Sequence, residues 1–67
     1  MITYEIKINN VSIKKIDIVN LHEHSKQKGL FVYEVNIYDF QNKTHKKRKI
    51  THTRNQNEGI LLSKALS

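Results

Sequence analysis

The stretch Phe31-Val32-Tyr33-Glu34-Val35-Asn36-Ile37-Tyr38 decides the fold. Side chains of an extended chain alternate, so Phe31, Tyr33, Val35 and Ile37 point one way while Val32, Glu34, Asn36 and Tyr38 point the other. Its β-branched and aromatic residues suit a half-buried pleated surface, and a strand is expected. Downstream, Asp39 to Thr44, with Asn42-Lys43 near its centre, reads as a turn. Residues His45 to Thr53 then follow at hairpin distance, with Ile50 as their one aliphatic anchor. That composition predicts an edge strand with a heavily solvated face.

Upstream, Ile2, Tyr4, Ile6 and Ile8 alternate with Thr3, Glu5 and Lys7, the period of two of another strand. Asn9-Asn10 follows, and asparagine tolerates the left-handed backbone of a tight hairpin. Val11 and Ile13 resume the alternation, but Ile16 and Ile18 continue it on the opposite parity, with Lys14-Lys15 at the change. A β-bulge there restores a common face for all four; two shorter strands are the alternative. The polar run His22 to Gly29 reads as a loop. Near the end, Asn55 or Asn57 offers an N-cap with Glu58 in the first turn, and Ile60, Leu61, Leu62, Ala65 and Leu66 fall on one side of a helix. A helix of about nine residues cannot stand alone in water, so it must dock on the sheet. The expected fold is α+β: a small antiparallel meander of three to four strands with one short C-terminal helix packed on it, a single domain over residues 1–67.

A chain of 67 residues has room for one core only. Domains this small are thinly stabilised, so a homodimer or a bound partner is expected to help. There is no cysteine, which removes disulfides and thiolate zinc sites and fits a reducing, cytoplasmic setting. No apolar run approaches the roughly 20 residues that cross a bilayer, and the first residues lack a signal-peptide pattern; no membrane association is expected.

Twelve Lys plus Arg stand against six Asp plus Glu, a formal net charge of +6. Half of the cations, Lys43, Lys46, Lys47, Arg48, Lys49 and Arg54, lie between Gln41 and Gln56, where there is no acid. Lysine on an edge strand also deters sheet-to-sheet aggregation, but a deterrent needs only one or two charges. The unopposed run His45-Lys46-Lys47-Arg48-Lys49 repels itself and points to a polyanion. Lys43, His45, Lys46, Lys47, Arg48, Lys49 and Arg54 are therefore the candidate contacts to phosphate, with Lys14, Lys15, Lys26 and Lys28 as extensions.

Tyr4, Phe31 and Tyr33 sit in apolar patterns and are expected in the core. Tyr38 and Phe40 adjoin the turn beside the basic run, where each either stacks on a base or caps the sheet edge. His22 and His24 are two residues apart, a start for a metal site, but two ligands do not complete one and solvent-exposed histidines are the simpler account. His45 and His52 are expected to add to the basic surface. With two glycines, no nucleophile motif and scattered carboxylates, no enzyme, cofactor or metal is expected.

The order Phe31-Val32-Tyr33-Glu34-Val35, then Asp39 with Asn42-Lys43, then Lys46 to Lys49, then Glu58 with Leu61, Leu62, Ala65 and Leu66 resembles the arm-type DNA-binding domain at the front of phage and transposon tyrosine integrases. The resemblance covers residues 31–66 and implies a three-stranded sheet face entering a DNA groove. The turn lacks the glycine usual in that family, and no catalytic domain follows, so integrase activity is not implied. Double-stranded RNA-binding domains end in a comparable strand-strand-helix pattern, but their first helix has no counterpart here. The general style is similar to that of small phage or mobile-element proteins, which implies the host cytoplasm. The expected function is non-catalytic nucleic-acid binding. The alternatives are a small protein that blocks an acidic host protein or defence complex, and a structural oligomer.

Overall fold

The computed structural model describes residues 2–53 and 57–67. Strands β1 (Ile2–Ile8), β2 (Val11–Glu23), β3 (Leu30–Asp39) and β4 (Thr44–Thr53) precede one helix, α1 (Glu58–Leu66). The sheet order is β1-β2-β3-β4 and every pairing is antiparallel, so β1 and β4 are its edges. The expected α+β meander is present with four strands, and the helix packs across β3 and β4. No helix among the described residues is long and apolar enough to cross a membrane.

The hairpins follow from backbone preferences. Asn9 and Asn10 both have positive φ, 51° and 65°, as the favoured two-residue hairpin turn requires. Between β3 and β4 the left-handed residue is Lys43, at φ 55°. The Asp39 carboxylate organises that turn: it accepts from the backbone N–H of Gln41 and of Asn42, each at 3.1 Å, and from the Asn42 amide at 2.9 Å.

β2 is one long strand with two register shifts. Ile6 faces Lys14 and Lys7 faces Ser12, which leaves Ile13 without a partner on β1. The expected bulge thus lies one residue before Lys14-Lys15. It rejoins Val11 to the parity of Ile16 and Ile18 and makes Ile13 itself the extra residue, so the four isoleucine and valine positions do not share a face. A second shift was not expected: Ile18 faces Val35 and Asn20 faces Glu34, with Val19 left over. Both insertions bend the strand and keep Val11, Ile16, Ile18 and Leu21 on one face, at the expense of Ile13 and Val19.

That face forms the core. Ile16, Ile18, Val35, Ile37 and Ile50 of the sheet are buried with Leu61 and Ala65 of α1. Ile16 is almost fully buried, and truncating it to alanine costs about 2–5 kcal/mol. The helix is narrower in its apolar contact than expected. Leu62 packs at the margin, while Ile60 and Leu66 remain 38% and 39% exposed, because nine residues over two strands bury only one turn-to-turn line. Asn57 is the N-cap, its side chain accepting from the Ile60 N–H at 3.1 Å; the alternative Asn55 lies outside the described residues. Lys64 donates to the Thr51 carbonyl at 3.2 Å and fastens the helix to β4. On the far side the Tyr4 hydroxyl meets the Glu58 carboxylate; burial first, and then that hydrogen bond, holds the phenol above its ordinary pKa.

His52 is corrected from surface to core. It shares the parity of Ile50, is only 5% exposed, and packs edge-to-face on Tyr33 with centroids 5.7 Å apart. The basic surface gains nothing from it.

Candidate nucleic-acid interface

Alternation along β4 divides the basic run between the two faces of the sheet. Thr44, Lys46 and Arg48 share the helix side with Ile50 and His52, whereas His45, Lys47 and Lys49 project from the side without a helix. Same-face neighbours on a strand are about 6.7 Å apart, so His45, Lys47 and Lys49 form a line of about 13 Å. Lys43 continues it at the hairpin, where it lines a groove of about 310 Å³ with Tyr38, Phe40 and His45. Phe40 is 47% exposed there.

Arg48 does something else. Its guanidinium donates to the carbonyl oxygens of Ala65, at 3.1 Å, and Ser67. These are the carbonyls a helix end leaves without intrahelical donors, and a cation there also meets the negative end of the helix dipole. Arg48 is thereby a tie between β4 and α1. Lys46 lies on the same side, where it lines a small cavity of about 90 Å³ with Lys14, Arg48 and the end of the helix. Arg54 lies outside the described residues.

Register brings in residues from the middle strands. Lys15, Tyr38 and His45 stand side by side on β2, β3 and β4. The Tyr38 and His45 rings are stacked, 4.5 Å between centroids and 2° between planes, and the Lys15 ammonium sits 4.9 Å from the Tyr38 centroid. Because β3 lies between β2 and β4, the cation and the imidazole cover opposite faces of the phenol. Tyr38 therefore has no ring face left for a base, and the outward ring face of this row belongs to His45.

The acids of this face sit inward of the lysine line and are engaged. Asp17, 7% exposed, accepts from the Thr3 hydroxyl at 2.8 Å and pairs with Lys15 at 3.6 Å. Glu5 pairs with Lys7 at 3.7 Å, and Glu34 accepts from the Asn20 amide at 2.5 Å. Among the described residues, Lys43, Lys46, Lys47 and Lys49 take part in no ion pair. A groove of about 350 Å³ runs beside the line, bordered by Val19, Glu34, Asn36, Lys47 and Lys49. Its wall at Val19 exists because of the second bulge.

Of the expected extensions, Lys15 reaches the face and Lys14 is on the other; Lys26 and Lys28 lie in the β2–β3 loop. His22 stands at the end of β2, and the His24 imidazole accepts from the Lys26 N–H at 3.2 Å, which closes the loop. No group of three or more His, Asp or Glu among the described residues is arranged to hold a metal. Comparison with family models, with curated proteins and with solved structures finds no match to this chain.

Proposed function

We propose that this protein is a non-catalytic nucleic-acid-binding module that receives a phosphate backbone along the helix-free side of β4. The observation that carries the reading is the line His45, Lys47 and Lys49 on one face of β4, continued by Lys43 at the hairpin. Among the described residues these lysines take part in no ion pair, although Glu34, which accepts from the Asn20 amide, stands opposite Lys49. Lysines whose charge is not matched within the fold keep most of their attraction for a polyanion, and each phosphate they neutralise releases counterions. Phe40 and the outward face of His45 offer stacking at one end of the line, whereas Tyr38 is enclosed. The interaction is thus dominated by phosphate and reads little sequence. The likeness of residues 31–66 to arm-type DNA-binding domains points to a sheet face as well.

The test is fluorescence anisotropy with a labelled duplex and a labelled single strand, across a salt series. The variant Lys43→Gln/Lys47→Gln/Lys49→Gln should bind weakly, with the slope of log affinity against log salt shallower by about 0.9 per lost contact on duplex. The control Lys14→Gln/Lys46→Gln, altered on the helix side, should bind much as the parent does. Equal binding by the first variant and the parent removes the proposal. Recovery of one acidic protein from lysate, unaffected by nuclease, would replace it with the blocking reading.

A further inference from the structure

We infer that β1 pairs with β1 of a second copy of this chain, joining two four-stranded sheets into one across a two-fold axis. The surface involved is at the opposite edge from the lysine line, and the inference does not depend on nucleic-acid binding.

The two edges of the sheet are furnished differently. An edge strand turns alternate N–H and C=O groups away from its only neighbour, which makes it a template for another strand unless charge, proline or a bulge protects it. β4 is protected by Lys46, Lys47 and Lys49. β1 has no proline, and its register irregularity adds a residue to β2, not to β1. Its helix-side positions are Ile2, Tyr4, Ile6 and Ile8; α1 lies over β3 and β4 and meets β1 at Tyr4 through Glu58, so Tyr4 and Ile6 are half-buried against the core while the two ends of the strand stay open. Ile2 is 52% and Ile8 57% exposed.

Charge complementarity selects the occupant and the register. Consider two antiparallel copies of β1 with Ile6 opposite the partner's Ile6. Tyr4 then meets the partner's Ile8, so every apolar residue stays on the helix side, and Glu5 meets the partner's Lys7 on the other side, twice by symmetry. Moving the centre to Glu5 sets it against the partner's Glu5, and moving it to Lys7 opposes two lysines. A one-residue slip places apolar against polar side chains. The strand is therefore complementary to itself in one register, which is what an isologous interface requires. The apolar strip of the two β1 strands is then flanked by the two helices on the same side of a continuous sheet.

Sedimentation equilibrium over the micromolar range tests this with charge swaps at exposed positions. The parent chain should show a monomer–dimer equilibrium. Glu5→Lys and Lys7→Glu, each alone, place like charges opposite one another twice and should weaken the dimer roughly tenfold or more. An equimolar mixture of those two variants restores both opposite-charge pairs and should form a heterodimer close to parental strength; circular dichroism checks that each variant is folded. A parent chain that stays monomeric throughout overturns the inference, as do single variants that dimerise like the parent or a mixture that gains nothing.

Discussion

The Arg48 guanidinium donates to the Ala65 carbonyl oxygen at 3.1 Å, so one cation of the basic run holds the helix to the sheet. Replacing Arg48 by alanine leaves the helix end without that donor and should cost about 1–2 kcal/mol. In a domain of this size such a loss lowers Tm by roughly 5–15 °C. Lys47→Ala and Lys49→Ala, at exposed positions away from the core, should stay within about 0.5 kcal/mol of the parent. Thermal melts of the three variants check the division; an Arg48→Ala protein that melts like the parent would deny the tie.

Lys43 occupies left-handed backbone, where a side chain larger than asparagine is disfavoured. Lys43→Asn should raise stability by about 0.5 kcal/mol, since asparagine visits that region more readily. The same change removes a cation from the proposed phosphate line, so polyanion affinity should fall as stability rises. Urea unfolding and anisotropy on the same preparation would reveal whether the two move in opposite directions.

Asp17 is a buried carboxylate that links β2 to β1 through the Thr3 hydroxyl and pairs with the Lys15 ammonium on its own strand. Asp17→Ala strands both partners and should destabilise by about 1–2 kcal/mol. It also releases Lys15, so binding to a polyanion at low salt should strengthen slightly. A variant as stable as the parent would show that the bridge is idle.

The Asp39 carboxyl is held below the usual carboxylate range, first by the Asn42 amide and then by the Asn42 backbone N–H. A pKa lower in the folded than in the unfolded state gives stability that is complete above the unfolded value and lost as pH falls through the folded one. The β3–β4 hairpin should therefore loosen in acid, below the ordinary range of a free aspartate. Asp39→Asn should flatten that part of the curve of Tm against pH, and an unchanged acid limb in this variant would assign the effect to other carboxylates.

What could be read from the chain was whatever depends on near neighbours. Alternation from Ile2 to Ile8 and from Phe31 to Tyr38 marked two strands because apolar residues gather on one side of each, and Asn9-Asn10 marked a turn because both positions need left-handed backbone. The bulge at Ile13 announced itself as a change of parity. The bulge at Val19 carries the same sign, Ile18 to Leu21, and was open to the same reasoning. Parity also placed His52 beside Ile50, although histidine chemistry suggested the surface. By contrast, the role of Arg48 depends on where a helix that starts ten residues later comes to rest, and no local pattern encodes that. The division of the lysines between two faces was visible in the alternation of β4, but which face the helix would cover was not. Likewise, the enclosure of Tyr38 needs the registers of three strands at once.

The lysines of β4 have a further effect during handling. Their mutual repulsion keeps two such edges from fusing, and its range is the screening length, about 10 Å at 0.1 M salt and about 3 Å at 1 M. A concentrated-salt wash meant to strip adhering nucleic acid would also silence that repulsion. Clean preparations should then turn cloudy sooner in the wash than in dilute buffer, and substituting Glu for Lys47 and Lys49 on half of the molecules should make the clouding worst at low salt instead.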